Sequence, residues 1–303
     1  MPAAWPALAR ASRDPLAPAL QRARDYLLER QSPGGGFCFS RGDYLQEPNL
    51  ADTWHGVGAL TGLLGVDLPE QRDHAGFVLG QAVDPQPLAL CYRIRSLQAL
   101  QTSDLASAEV ECAVAALQVS LPDPATPHLL GAALQRLSCV LWLRKHVGLD
   151  VAADELAQAL LGMANEDGGY GEPCNLLDTA CAIAVLAQCD AMPAPATRAF
   201  LSSVVDPQFG FRLSARAPAP NLETVHAGAA SCRRLELDIP HAGAAASFVL
   251  SCQRGSGGFA RTSHAFHALP DMTLTYMALA TLIRDLPGRS SSPDVPAHGG
   301  MPA

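Results

Sequence analysis

Little in this chain would hold a nucleic acid. Its 303 residues carry 21 Lys and Arg against 29 Asp and Glu, a formal net charge of −8, whereas such binding needs a basic footprint. The same deficit leaves no polybasic tether for an anionic membrane. Aromatic residues are 6% of the chain, a thin supply for lining a large π-rich cavity. The nine cysteines are odd in number and form no Cys-x-x-Cys pair. Most fall in apolar helical runs, as do Cys112, Cys139 and Cys232, so buried free thiols are expected rather than disulfides. No uninterrupted apolar run reaches the ~18 residues of a spanning helix. Residues 1–15 carry Arg10, Arg13 and Asp14 without an apolar core, so no signal peptide is expected and a cytoplasmic location is.

What is present is apolar material and a repeat. Hydrophobic residues make up 49% and charged residues 17%, ample for one large core. The unit is a helix, a glycine–aromatic turn, a loop, and a second helix entered through an acid. The turns are Gly-Gly-Gly-Phe at 34–37, Asp-Gly-Gly-Tyr at 167–170, Phe-Gly-Phe at 209–211 and Gly-Ser-Gly-Gly-Phe at 255–259. Second helices follow from Leu50, Leu177, Leu222 and Leu269. Residues 85–100 and 126–143 keep the second helix without the glycine turn. A period of this kind means stacked helical hairpins. The expected pairs are 17–31 with 50–66, 70–83 with 87–101, 104–119 with 127–147, 151–164 with 176–189, 194–205 with 221–236, and 240–252 with 270–285. Residues 1–16 are expected as an N-terminal tail. The Ser-, Pro- and Gly-rich stretch 287–303 is expected as a disordered one.

The run helix–Cys252-Gln253-x-x-x-Gly257-Gly258-Phe259–loop–Asp271, repeated clearly in four units, resembles the repeat of protein prenyltransferase β-subunits and squalene/terpene cyclases. The resemblance spans 17–286. It implies an all-α fold, an α/α toroid (α6/α6 barrel) of six hairpins whose inner helices surround an apolar cavity for an isoprenoid. It also implies an isoprenoid or isoprenoid diphosphate as partner, with the peripheral membrane contact such a lipid brings. Mg2+ or Zn2+ comes with it as cofactor, and a partner subunit in the prenyltransferase case.

Aligning the inner helices on their first acid gives the column Asp52, Leu90, Gly131, Asp178, Glu223, Asp271, and three residues on His55, Arg93, Leu134, Cys181, His226, Leu274. Positions three apart share a helix face. First-turn acids also complement the helix dipole, and the Asp-Thr pairs 52–53 and 178–179 fit repeat architecture as well as chemistry.

Three chemistries remain open. In a protonation-initiated cyclase a buried carboxyl, its pKa raised by desolvation, gives its proton to an alkene, and aromatic faces shield the cation. Asn175-Leu-Leu-Asp178-Thr-Ala180 falls on the cyclases' Asp-x-Asp-Asp-Thr-Ala motif, where the proton-donating position here is Leu177. Asp178 is then the leading acid, with Asp52, Glu223 and Asp271 beside it. His55 and His226 would orient or deprotonate, and Trp54, Tyr92, Tyr276 and Arg93 would bind substrate. In a zinc prenyltransferase the family's ligand places hold Glu223, Val225 and Leu274, so two of three are missing. A rearranged metal site would draw on His55, Cys181 and His226. The alternative from another class is a catalytically silent binding toroid.

Overall fold

The computed structural model describes residues 15–39, 47–102, 105, 107–123, 125–264 and 268–286. The expected tails lie outside them, except that the first helix already begins at Leu16. Twelve α-helices are found among the described residues. They are α1 Leu16–Leu28, α2 Leu50–Val57, α3 Gln71–Gly80, α4 Pro87–Ala99, α5 Ala108–Ala116 and α6 Leu130–His146. Next come α7 Ala153–Leu161, α8 Leu176–Gln188, α9 Pro195–Ser203, α10 Leu222–Arg234, α11 Ala242–Ser251 and α12 Met272–Ala280. A helix occurs at each of the twelve expected places, those of the two units without a glycine turn included; of the expected pairs, α3 packs on α4 and α7 on α8. Two inner helices run on into π-helical turns, α2 through Gly58–Leu63 and α12 through Thr281–Asp285. Among the described residues no helix is long and apolar enough to cross a membrane.

The chain divides into two compact units, 1–111 with 249–284 and 112–248 with 285–303. In the first, α12, α2 and α4 lie side by side in that order, with α1 against α12 and α3 against α4. In the second, α6, α8 and α10 lie side by side, with α7 against α8. None of the nine cysteines is in a disulfide; Cys112, expected in an apolar run, is exposed.

The inner helices start where they do because of one cap repeated. Asn49, Asn175 and Asn221 sit at N-cap positions in extended backbone, and each side chain accepts the amide three residues on. Asp271 does the same for α12. This satisfies one of the orphan donors at each helix start. A threonine then ties the cap to the preceding turn. Thr53, Thr179 and Thr275 donate to the carbonyls of Asn49, Asn175 and Asp271 at 2.6, 2.7 and 2.6 Å. The same hydroxyls accept the amides of Phe37, Tyr170 and Phe259 at 3.0, 2.9 and 3.1 Å. The aromatic side chains thereby held, with Phe211, are fully buried.

The glycines serve the joints between successive hairpins. Gly257 has φ +94°, and a Cβ there would strike the backbone carbonyl of Arg22 in α1. Gly168 has φ +85° and meets the backbone of α9 at Ala196 in the same way. The joint at Gly257 sets the sixth hairpin against the first. Gln253 strengthens it, donating to the carbonyls of Ala19 and Gly257, both at 2.8 Å, and accepting from Arg22 at 2.5 Å.

Candidate functional site

The caps supply a register that the acids alone could not. Counted from the cap, Asp52 and Asp178 are third residues, and the corresponding places in α10 and α12 are Thr224 and Leu274. Asp271 is itself a cap, and Glu223 lies second. The column aligned on first-turn acids is therefore corrected. His55 and Cys181 share a level, six residues past the cap, and His226 sits one residue earlier on its helix.

In the first unit, four of the residues singled out from the sequence come together. His55 lies with its ring 5.6 Å from Tyr92, edge-on, and 5.5 Å from Tyr276. Trp54 lies 5.8 Å from Tyr276. The guanidinium of Arg95 stands 5.8 Å from the Trp54 ring, and Thr273 Oγ1 is 3.2 Å from His55 Nδ1. Trp54, His55, Arg95 and Tyr276 are buried. Burial pushes the His55 ring down to a pKa of about 3, so the imidazole is neutral at physiological pH. Thr273 and Arg95 were not among the expected site residues. Only the pairing of α12 with α2, and of α2 with α4, brings them to the cluster.

One turn earlier on α2, the Asp52 carboxylate takes the Asn49 amide at 2.6 Å. Its pKa is raised by burial, with the negative charge of Asp271 adding to the rise and the Asn49 bond opposing it. Asp271 is raised by burial as well, against amide donors from Leu274 and Thr273. Arg93 is turned the other way: its two terminal nitrogens donate to the carbonyls of Gln81 and Leu79, at 2.9 and 3.1 Å, at the end of α3.

In the second unit, Asp178 is half-buried and accepts from Asn175 Nδ2 at 2.8 Å. Its carboxylate fills the space that side chains at Gly131 and Gly171 would need, and burial raises its pKa. His226 Nδ1 is 3.7 Å from Asp285 Oδ2, while Arg233 Nε donates to Asp285 Oδ1 at 2.8 Å. The Asp285 side chain is fully enclosed. No sequence signal pointed to Asp285, because its partners lie more than fifty residues away. Burial pushes the Cys181 thiol up to about 12. Glu223 is half-buried on α10.

The donors named for a rearranged metal site do not gather. Among the described residues no group of three or more His, Cys, Asp and Glu is placed to hold a metal ion. The set as placed does not fit zinc.

No family model and no curated protein matches this sequence. Solved structures do match. Protein geranylgeranyltransferase-I of Candida albicans, complexed with GGPP, aligns over 77% of this chain and 83% of its own at 14% identity and a TM-score of 0.57. The type II terpene cyclase MstE from Scytonema aligns over 90% and 97% at 13% identity, with a TM-score of 0.54. A variant of that cyclase in complex with geranylgeranyl dihydroxybenzoate, its substrate, gives 93%, 98%, 14% and 0.53. The fold is the α/α toroid. At these identities the likeness stops at the fold, and function rests on this chain's own side chains.

Proposed function

We propose that this chain is an isoprenoid-handling enzyme of the protonation-initiated cyclase type. The observation that carries the reading is the cluster of Trp54, His55, Tyr92 and Tyr276, which sets a neutral imidazole among aromatic faces. The fold's solved neighbours, which include proteins bound to GGPP and to a geranylgeranyl substrate, support the substrate class.

The chemistry follows from environment. A carboxyl whose pKa is raised by burial holds its proton more tightly than one in water and, in an apolar setting, can give it to a terminal alkene. The alkene's π electrons take that proton, the adjacent carbon becomes cationic, and successive π bonds close rings onto it. Tyr92, Tyr276 and Trp54 would stabilise the migrating cation through their faces. His55 would take the final proton from the carbon next to the cation, the C–H electron pair becoming the new double bond. Asp52 is the proposed acid for the cluster in the first unit, with Asp271 beside it keeping its charge unfavourable; Asp178 is the proposed acid of the second unit. Glu223 and His226 would act in the second unit, as base or orienting group. The diphosphate, accompanied by Mg2+, would draw on Arg95, because the Arg93 guanidinium is already held by the carbonyls of Gln81 and Leu79.

The test is incubation of the purified full chain with farnesyl and geranylgeranyl diphosphates, with Mg2+ and separately with Zn2+, followed by mass spectrometry. A cyclised product retaining its diphosphate is expected. Asp178→Asn and Asp52→Asn identify the acid: the one that matters loses turnover by at least ~10²-fold while keeping its unfolding midpoint. Diphosphate release would replace protonation by ionisation or transfer. Unchanged substrate throughout, together with tight isoprenoid binding by calorimetry, would favour the silent binding toroid, to which the missing zinc donors already lend weight.

A further inference from the structure

Two of the four capped inner helices carry a carboxyl three residues past the cap, Asp52 in α2 and Asp178 in α8. In α10 and α12 that place holds Thr224 and Leu274. In both helices the cap asparagine bonds its acid twice. Asn49 Oδ1 accepts the Asp52 amide at 2.9 Å, while Asn49 Nδ2 donates to Asp52 Oδ2 at 2.6 Å. Asn175 repeats both bonds with Asp178, at 3.0 and 2.8 Å, and also donates from Nδ2 to the Pro173 carbonyl at 3.1 Å.

The first bond fixes the sense of the second. A backbone N–H only donates, so the cap atom facing it is the oxygen. The atom facing the carboxyl is then the amide NH2, which donates and cannot accept. In a neutral carboxyl the carbonyl oxygen is the better acceptor, and the other oxygen carries the proton. The asparagine bond therefore makes Oδ2 the carbonyl and leaves the proton on Oδ1. In the second unit the glycines show where each oxygen lies. A Cβ on Gly171, just past the turn, would strike Asp178 Oδ2, and a Cβ on Gly131, in the first turn of α6, would strike Oδ1. The proton-bearing oxygen faces the neighbouring inner helix, and Oδ2 faces the loop of its own hairpin.

We infer that Asn49 and Asn175 are positioning residues for the two proposed acids: each cap, by donating to Oδ2, holds the transferable proton on Oδ1. The use of that proton rests on the cyclase reading given above. In the transfer the alkene's π electrons take the proton from Oδ1, the O–H electron pair stays on that oxygen, and a carboxylate results. The bond from Nδ2 to Oδ2 then becomes charge-assisted and stronger. An interaction that strengthens as the proton leaves lowers the barrier to its leaving. A proton from water restores the acid. The asparagines act through the carboxyl alone.

The placement can be read without any substrate. Asp52 also feels the charges of Asp271 on α12 and of Arg30 just past α1, and Tyr26 of α1 feels Asp52. Asp178 acts on the thiols of Cys174 and Cys181. All of these stay in place in Asn49→Ser and Asn175→Ser, which keep a good cap and remove the Nδ2 donor. In the 15N- and 13C-labelled full chain, these variants assign the asparagine side-chain amides, and Asp52→Asn and Asp178→Asn assign the carboxyl carbons. As the pH is lowered through the carboxyl titration, the wild-type amide is expected to stay hydrogen-bonded, shifted downfield and slow to exchange with water. The asparagine bond lowers the pKa of each acid, so its loss should move the titration to higher pH, with unfolding temperatures close to wild type. In turnover, the serine variant at the working acid should lower kcat roughly tenfold, part of the roughly 10²–10⁴ that a positioned acid contributes, with KM unchanged. The limb on which the rate falls with rising pH should move up with the titration. A wild-type amide bond that breaks when the carboxyl is protonated puts the proton on Oδ2 and overturns the inference, as does a titration indifferent to the loss of the asparagine. The expected amide and titration behaviour in a protein that leaves every isoprenoid intact sinks the cyclase reading instead, and the placement of the proton survives it.

Discussion

Replacing Gly257 by alanine tests how the repeat is joined end to end. Its φ of +94° lies in the left-handed region, where a side chain costs about 1–2 kcal/mol, and the new methyl would strike the Arg22 carbonyl. That obstacle is helix backbone, which cannot rotate aside as a flexible side chain can, so displaced packing adds roughly 1–3 kcal/mol. The sum, about 2–5 kcal/mol, is a large share of the ~5–15 kcal/mol typical of a native domain. At this chain length it corresponds to a fall in Tm of about 10 °C. The control is two residues away: a Cβ on Gly255 meets nothing within 4 Å, so Gly255→Ala should be close to neutral. Both variants would be followed by thermal and urea unfolding. A Gly257→Ala protein within ~0.5 kcal/mol of wild type, or a Gly255→Ala protein equally damaged, would refute the account of the turn as a backbone-to-backbone joint.

Other expectations follow from named contacts. Thr179→Val removes a hydroxyl that bonds both the Asn175 carbonyl and the Tyr170 amide, leaving a buried amide unpaired at a cost of about 1–3 kcal/mol; Thr179→Ser should recover most of it in denaturant titrations. His74 accepts the Gly36 amide through Nδ1 at 2.9 Å and stacks 5.0 Å from Phe37. Burial lowers its pKa, with Asp73 opposing, and His55 is lowered further. Both rings are neutral when folded, so their stabilising effect is full above the ordinary histidine value and is lost as pH falls below about 6.5. Urea midpoints taken from pH 7 to 4 should fall accordingly, and His74→Gln should flatten part of that slope. Asp285→Ala strands His226 and Arg233 beside an empty site. For a buried pair broken from one side the cost is about 3–5 kcal/mol, discounted because Arg233 is one-third exposed; calorimetry would measure it.

The fold was legible because the repeat is local. A glycine–aromatic turn, an Asn or Asp cap and a threonine three or four residues past it lie within one hairpin, and backbone hydrogen bonding is met locally each time. Even the hairpins without the turn kept enough apolar helix to be placed. The acids of the candidate site misled the register for the same reason: Asp52, Asp178 and Asp271 look alike in the chain. Two support a cap amide and the third is the cap, a distinction made by backbone conformation. The aromatic residues beside His55 could be named one by one, but their meeting could not. Trp54, Tyr92, Tyr276 and Thr273 come from three helices up to some two hundred residues apart, and Asp285 meets His226 across a gap of more than fifty. Which side chains face one another is set by how helices pack, and that depends on the summed fit of many apolar surfaces that no short stretch of sequence carries.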